Sequence, residues 1–235
     1  MEQTFKEKLI KKCPELSENM QQQFEDYMKL LLEWNEKINL TAITEEDDII
    51  LKHFVDSLTI LKYIEQGKTI VDVGTGAGFP GIPVKIAIPD TKVTLVDSLN
   101  KRILFLKDVI EKLGLQSIET LHFRAEEFGQ NKKYRESFDI ATSRAVANLS
   151  TLVEYLLPLV KVGGTCICMK GSEVKEELEN AKKAITILGG KIETVEEFTL
   201  PESDIKRNIV IIKKVNATPN KYPRKSGTPA KEPIK

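Results

Sequence analysis

Apolar residues recur at three- and four-residue steps early in the chain, where Leu16, Met20, Phe24, Tyr27, Leu31 and Trp34 fall on one face of a helix. Thr44, followed three positions on by Asp47, predicts a second helix start with acids in its first turn. Ile50, Phe54, Leu58 and Leu61 carry an apolar stripe onward from there. Between the two lies a polar interruption, Trp34 to Thr41, too ordered in composition for a linker. After Gly67 the rhythm changes to short β-branched runs separated by helical stretches, the pattern of repeated βαβ units around a parallel sheet. Strands are expected at 69–73, 92–97, 118–123, 138–142 and 165–169. Helices are expected at 101–113, closed by Gly114; at 149–160, before Gly163 and Gly164; and at 172–188, capped by Ser172 and ended by Gly189 and Gly190. Two last runs, 191–200 and 207–214, have no helix between them and should pair antiparallel.

The pattern therefore predicts a helical segment over 1–66 and an α/β domain over 67–215 with a seven-stranded, doubly wound sheet closed by an antiparallel hairpin. The stretch from 215 to 235 has no regular period and holds four of the ten prolines, so an extended or partly mobile basic tail is expected over 216–235. A length of 235 residues with 41% hydrophobic content is ample for a core of this size.

Charge changes the picture mainly by its placement. Thirty-five basic residues balance 35 acids, which excludes a chain-wide basic surface, but from Lys206 to Lys235 nine basic residues meet one acid, Glu232. An anionic partner would be met from that end. No run approaches the roughly 18 apolar residues that cross a bilayer, and the opening residues alternate charge with single apolar positions, so neither a signal peptide nor a membrane anchor is expected. Three cysteines (Cys13, Cys166, Cys168) form no framework and two isolated histidines (His53, His122) form no ligand cluster, so the expectation is a reduced, cytoplasmic, metal-free protein, with a monomer as the default.

The strongest chemical signal runs from Thr69 to Gly81, a predicted strand entering a glycine-dense turn that contains Asp72, Gly74, Gly76, Gly78, Phe79 and Pro80. Glycines there let backbone amides approach a ligand without a Cβ in the way. The next strand ends on Asp97, 23 residues after Gly74, where a carboxylate can accept from both hydroxyls of a ribose. A nucleoside-containing cofactor follows. Read in a shifted frame, Gly76, Gly78 and Gly81 also fit a dinucleotide fingerprint. Three features favour S-adenosylmethionine: the acid two residues before the first of three alternate glycines, the prolines Pro80 and Pro83 at the helix start, and the antiparallel closing hairpin. After the third strand, Ala125 and Glu126 occupy the loop that would flank an adenine ring, or else a solvated acidic loop.

The fourth strand, Phe138 into Arg144, carries no Asn or Asp followed by two prolines and an aromatic, the clamp that methyltransferases use on exocyclic amines. Attack on pyrimidine carbon 5 needs a thiolate, yet Cys13 lies in the first helical region and Cys166 and Cys168 in a predicted core strand. An acceptor that is already nucleophilic suits such a site, and guanine N7 fits, since its lone pair is free at neutral pH and alignment alone would carry the transfer. Arg144 is the candidate for orienting the base or the cofactor, the alternative being a salt bridge at a strand end.

These residues belong to a pattern that closely resembles the small-subunit ribosomal RNA methyltransferase G family, also called glucose-inhibited division protein B. The resemblance covers nearly the whole chain. It includes Trp34-Asn35 through Ile43, His53-x-x-Asp56-Ser57-Leu58, the loop from Asp72 to Gly81, Asp97 to Arg102, Arg124-Ala125-Glu126, Arg144 to Ala147, Lys170-Gly171, and Tyr222 to Pro229. It implies a Rossmann-like class I S-adenosylmethionine-dependent enzyme that methylates N7 of one guanine in bacterial 16S rRNA, near the decoding region, with the rRNA or the small ribosomal subunit as partner. By matching position the implied cofactor contacts are Gly74, Phe79, Asp97, Ser98, Leu99, Ala125, Glu126 and Arg144. The N-terminal helices are expected to pack on the sheet, with His53 and Asp56 serving that packing or lining the rim of the site. Lys101, Arg102, Lys170, Arg207, Arg224 and Lys225 are candidates for neutralising RNA phosphates. Two other functions stay open at this point: a nicotinamide-dependent oxidoreductase, resting on the shifted glycine frame, and a non-catalytic assembly factor with a vestigial cofactor pocket.

Overall fold

The computed structural model describes residues 3–234. Helix α1 (Phe5–Lys12) and the long α2 (Glu18–Ile38) open the chain. The side chain of Ser17 caps α2 by accepting from the Met20 amide, and Asn39 ends it in the left-handed region. The polar interruption is a built turn, because Asn35 Oδ1 accepts from the Thr41 amide at 2.8 Å. A helical segment follows, made of α3 (Glu46–Ile49), a π-helical stretch Ile50–Val55 and α4 (Asp56–Leu58). Thr44 does not cap it. The N-cap position is Glu45, with no side-chain bond, and the acids Glu46, Asp47 and Asp48 supply the favourable charge at that end instead.

Seven strands then form one sheet in the order β3-β2-β1-β4-β5-β7-β6. They are β1 (Thr69–Val73), β2 (Lys92–Asp97), β3 (Ile118–His122), β4 (Phe138–Arg144), β5 (Val160–Lys170), β6 (Gly190–Thr199) and β7 (Lys206–Lys214). The first five run parallel, while β7 inserts antiparallel between β5 and β6. The expected doubly wound sheet with its closing hairpin is thus borne out. Helices α5 (Gly81–Ala87) and α6 (Asn100–Lys112) cover one face with the N-terminal helices, and α7 (Ala125–Gln130), α8 (Leu149–Leu156) and α9 (Lys175–Ile187) cover the other. Helix α8 stops earlier than expected and tightens into a 3₁₀ turn at Leu157–Leu159, because Pro158 cannot continue it. Helix α9 starts later than expected: Ser172 gives no cap, and the buried Val174 takes the N-cap position, fixing the entry by packing.

The N-terminal helices and the sheet share one core. Phe24, Tyr27, Leu31 and Phe54 have no exposed surface and pack in the same cluster as Ile70, Leu95 and Ile140 of the sheet. Burying each such side chain is worth about 1.5–3 kcal/mol, enough to make the extension integral to the fold. The C-terminal stretch departs furthest from expectation. In place of a loose tail, residues 215–234 form a strap that ends in α10 (Thr228–Lys231), with Thr218, Tyr222 and Pro229 buried. Polar side chains hold its backbone: Arg135 donates to the carbonyls of Thr218, Pro219 and Tyr222, and Arg224 meets Glu154 through two nitrogens. Such anchoring leaves no hydrophobic period for a sequence reading to detect.

Candidate functional site

The site forms where β1, β2, β4 and β5 end and β7 begins, since the antiparallel strand brings its first residues to the same edge. The glycine loop leaves β1 by hanging from β2: the amides of Gly74 and Thr75 both donate to the Val96 carbonyl, at 2.8 and 3.1 Å. Asp72 is fully buried beneath the loop, and its Oδ2 accepts from Thr75 Oγ1 at 2.7 Å and from the Gly81 amide at 2.9 Å. Its Oδ1 has no partner. Burial pushes this carboxyl up to about 6, against the pull of those hydrogen bonds and of Arg144. Gly78, at φ +96°, could carry no side chain, because a Cβ would lie 2.6 Å from both Ile82 Cδ1 and the Tyr27 hydroxyl. Tyr27 in turn donates to the Ala77 carbonyl, so α2 braces the loop. Asp72 and Gly78 therefore shape the loop from within.

Gly76 lies on the open side. It has φ +60° and nothing within 4 Å of where a Cβ would be, and its amide donates to Asp97 Oδ2 at 2.9 Å. Asp97, 2% exposed, also accepts from the Leu99 amide at Oδ1 and from Arg102 at 3.2 Å. Ser98 and Leu99 beside it are exposed and Ala125 is half-buried at the start of α7. Gly74 is capped by Val146, whose Cγ2 would be 2.6 Å from an added Cβ. Glu126, expected near an adenine ring, accepts at Oε1 from the Gly227 amide of the strap at 2.7 Å.

Across the edge, at the ends of β4 and β5, Arg144 turns into the N-terminal helices. It donates to the Lys52 carbonyl at 2.8 Å, to Asp56 Oδ2 at 3.0 Å and to His53 Nδ1 at 3.1 Å, and its guanidinium lies 5.0 Å from the centre of the Phe79 ring. Phe79 stacks on His53 at 4.5 Å and 15°. The strand-end ion pair is what the structure gives Arg144, and Phe79 belongs to the same packed group. Arg207 reaches Asp56 from β7, at 3.1 and 3.2 Å to its two oxygens, so two guanidinium groups share one buried carboxylate. Burial first, and then the Arg144 charge, push the His53 imidazole down to about 4. With Arg144 donating to Nδ1, the neutral ring carries its proton on Nε2, facing Thr41 Oγ1 at 2.9 Å.

A cavity of about 390 Å³ opens beside this group, lined by His53, Arg144, Met169, Lys170, Phe198 and Asn208 among others. That volume lies within the range of small-ligand sites. Of the six cations expected on phosphates, Lys101 and Lys225 are exposed. The other four are engaged: Arg102 with Asp97, Lys170 with Glu177, Arg207 with Asp56 and Arg224 with Glu154. Asn208 was not signalled by any motif, and its only trace in the sequence is a polar residue heading the apolar run Ile209 to Ile212. Cys13, Cys166 and Cys168 are all buried, and burial raises each thiol, Cys13 and Cys168 to about 12. Among the described residues no helix is long and apolar enough to cross a membrane.

A sheet in this order, with a glycine loop after β1 and a carboxylate ending β2, defines a Rossmann-like S-adenosylmethionine-dependent methyltransferase. Solved structures share the fold. A variant of MtNAS in complex with S-adenosylmethionine superposes with a TM-score of 0.55 at 18% identity, over 82% of this chain and 76% of that one. TrmN from Thermus thermophilus gives 0.53 at 16% identity, over 68% of this chain and 48% of that one. Curated relatives are far nearer in sequence. The ribosomal RNA small subunit methyltransferase G of Alkaliphilus metalliredigens is 55% identical, covering 95% of this chain and 96% of its own. The Acetivibrio thermocellus protein of that name is 59% identical, over 88% and 86%. The family model for rRNA small subunit methyltransferase G matches residues 20–210, and the chain belongs to that family.

Proposed function

We propose that this protein transfers the methyl group of S-adenosylmethionine to N7 of a guanine in 16S rRNA. The observation that supports this most is the nature of the cavity beside the Arg144, Asp56 and His53 group. Its acidic groups are all engaged: Asp56 is shared by Arg144 and Arg207, and Glu177 is held by Lys170 and the Leu149 amide. His53 is a neutral and very weak base, and the three thiols lie in the core. Such a site suits an acceptor that has no proton to lose. Guanine N7 takes the methyl as the carbon–sulfur bond breaks and the positive charge passes from sulfur to the ring, with no proton transferred. Catalysis then rests on alignment and on excluding water.

The residues at the edge fit the cofactor. S-adenosylmethionine supplies an electrophilic methyl on a sulfonium centre. Asp97 would hold its ribose, with the Gly74 and Gly76 backbone, Ser98, Leu99 and Ala125 around it. An ionised carboxylate offers about four lone-pair positions, and Asp97 already uses three. Both ribose hydroxyls are accommodated once Arg102, the longest of the three contacts and the one made by a side chain, swings out. Asp72, Gly78, Phe79, Glu126 and Arg144 act indirectly, by positioning the loop, the N-terminal helices and the strap. Of the described residues, 67–215 are the methyltransferase unit, with 3–66 as its packed extension and 216–234 as its basic strap. Exposed lysines, Lys101 and Lys225 among them, meet phosphates of the rRNA, free or within the small subunit. A single copy of the chain acts in the cytoplasm.

Mass mapping of 16S rRNA from cells with and without the gene tests the reaction: one N7-methylguanine should vanish with the gene, and an unchanged map rejects the proposal. For the cofactor site, Asp97→Ala should weaken S-adenosylmethionine binding by at least about tenfold in calorimetry, the loss expected when charged hydrogen bonds are removed. Wild-type affinity in that variant would reject the ribose assignment.

A further inference from the structure

Asn208 is 1% exposed, lines the cavity, and has a side-chain oxygen with no hydrogen-bond partner. The orientation of its amide is settled by its surroundings: the nitrogen lies 2.7 Å from the Gly171 carbonyl and 3.5 Å from that of Ser172, two acceptors that tolerate only a donor. A flipped amide would set oxygen against oxygen. Oδ1 is therefore a true acceptor left without a donor, and a buried polar atom in that condition costs free energy unless something arrives to pair with it.

Directly opposite Asn208 in the β5–β7 ladder stands Lys170, so the two side chains are neighbours on one face. The ammonium of Lys170 donates to Glu177 at 2.6 Å and to the Ala147 carbonyl at 2.8 Å. An ammonium has three donors, which leaves one. The cavity wall thus holds an unmet acceptor, closed over at its surface until the Asn208 side chain shifts, beside a spare donor, and Met169, Ile209 and Phe198 give the cavity an apolar side. Guanine carries the complementary pair on adjacent atoms: O6 accepts and N1–H donates. Adenine reverses both, with a donor on N6 and a lone pair on N1. Enzymes that act on a base commonly take it out of the stack and read this edge in a pocket.

Resting on the N7 reading above, we propose that the cavity receives the acceptor guanine, with Asn208 Oδ1 accepting from its N1–H and Lys170 Nζ donating to its O6. These contacts select guanine over adenine and leave N7, on the other edge of the base, directed towards the methyl donor. Lys170 then contacts the base and not a phosphate, in keeping with a side chain only 10% exposed.

The test couples a change in the protein to a change in the base. 16S rRNA carrying 2-aminopurine at the acceptor position keeps N7 but lacks N1–H and O6. With the wild-type protein this substitution should lower kcat/KM by about 10–100-fold, as expected when a site built to pair polar groups meets an analogue without them. Asn208→Ala should lose a similar factor on the guanine substrate and be several-fold less sensitive to 2-aminopurine, with S-adenosylmethionine affinity unchanged. Independent, multiplying losses would overturn the assignment. Equal rates of wild-type enzyme on guanine and 2-aminopurine would overturn it without reference to any variant. Failure of the wild type to methylate guanine N7 at all would instead defeat the underlying reaction, so the two failures are distinct.

Discussion

His53 and Asp72 are buried titratable groups on either side of Arg144, and burial acts on them in opposite senses. For His53 the folded-state value is lowered from 6.5 to about 4, so between those limits the unfolded chain binds more protons and stability falls as pH falls. For Asp72 it is raised from 3.8 to about 6, so the folded chain binds more protons in that window and stability rises as pH falls. The two slopes offset one another in wild type. Replacing His53 by Gln should remove the first slope alone, giving a variant whose unfolding free energy increases on acidification from pH 6 towards pH 4. Chemical denaturation at a series of pH values measures this, and the difference in slope between the two proteins should integrate to about 3 kcal/mol at most, on the basis of roughly 1.4 kcal/mol per pH unit. Parallel curves for the two proteins would show that His53 is not buried as the neutral ring. The family motif gives His53 a role in packing or at the rim and Asp72 a place among the cofactor candidates, but neither titration is readable from the sequence. Burial and the approach of Arg144 from β4 are both tertiary facts.

Among the elements, the strap shows most clearly how a segment without periodicity can still be built. Glu154 of α8 has no exposed side-chain surface, and both its oxygens are used by Arg224, one of them also accepting from the Arg224 amide. Arg224→Ala would strand that carboxylate in the interior, and removing one partner of a buried pair costs about 3–5 kcal/mol. Because the guanidinium itself is part-exposed, a loss of about 2–3 kcal/mol in denaturant-induced unfolding is expected, and a loss below about 0.5 kcal/mol would show that the strap is not held there. The strands tell the opposite story. Alternation and β-branched runs located all seven, and β1 and β2 match residue for residue because those central strands bury their own apolar side chains and announce that need locally. Helix boundaries were less legible. Thr44 and Ser172 are good capping residues by type, but the chain around Val174 is set by core packing, which outweighs a cap worth about 1 kcal/mol.

At the scale of the whole molecule, the basic C-terminal end is partly spent on the fold itself. Arg207, Lys214 and Arg224 each pair with an acid of the same chain, while Lys221, Lys225 and Lys231 remain on the surface. Truncating the strap to probe RNA binding would therefore also remove the Gly227 hydrogen bond to Glu126 and the Arg224 ion pair with Glu154. Neutralising Lys221, Lys225 and Lys231 to Gln is the cleaner experiment. If they meet phosphates, the slope of log affinity for 16S rRNA against log salt should become shallower by about 0.7–0.9 for each lysine–phosphate pair removed, with unfolding unchanged. An unaltered slope would place the RNA elsewhere. What the sequence determined by itself is whatever is encoded locally: the βαβ rhythm, the glycine loop, the carboxylate ending β2 and the family motifs, since each depends on neighbours a few positions away. Which side chains meet across the sheet edge was decided only by the tertiary structure. Antiparallel insertion of β7 sets Asn208 against Lys170, and docking of the N-terminal helices draws Arg144 to Asp56 and His53. Pairings between residues 38 or 88 positions apart follow from how strands pair and layers stack, which no local pattern records.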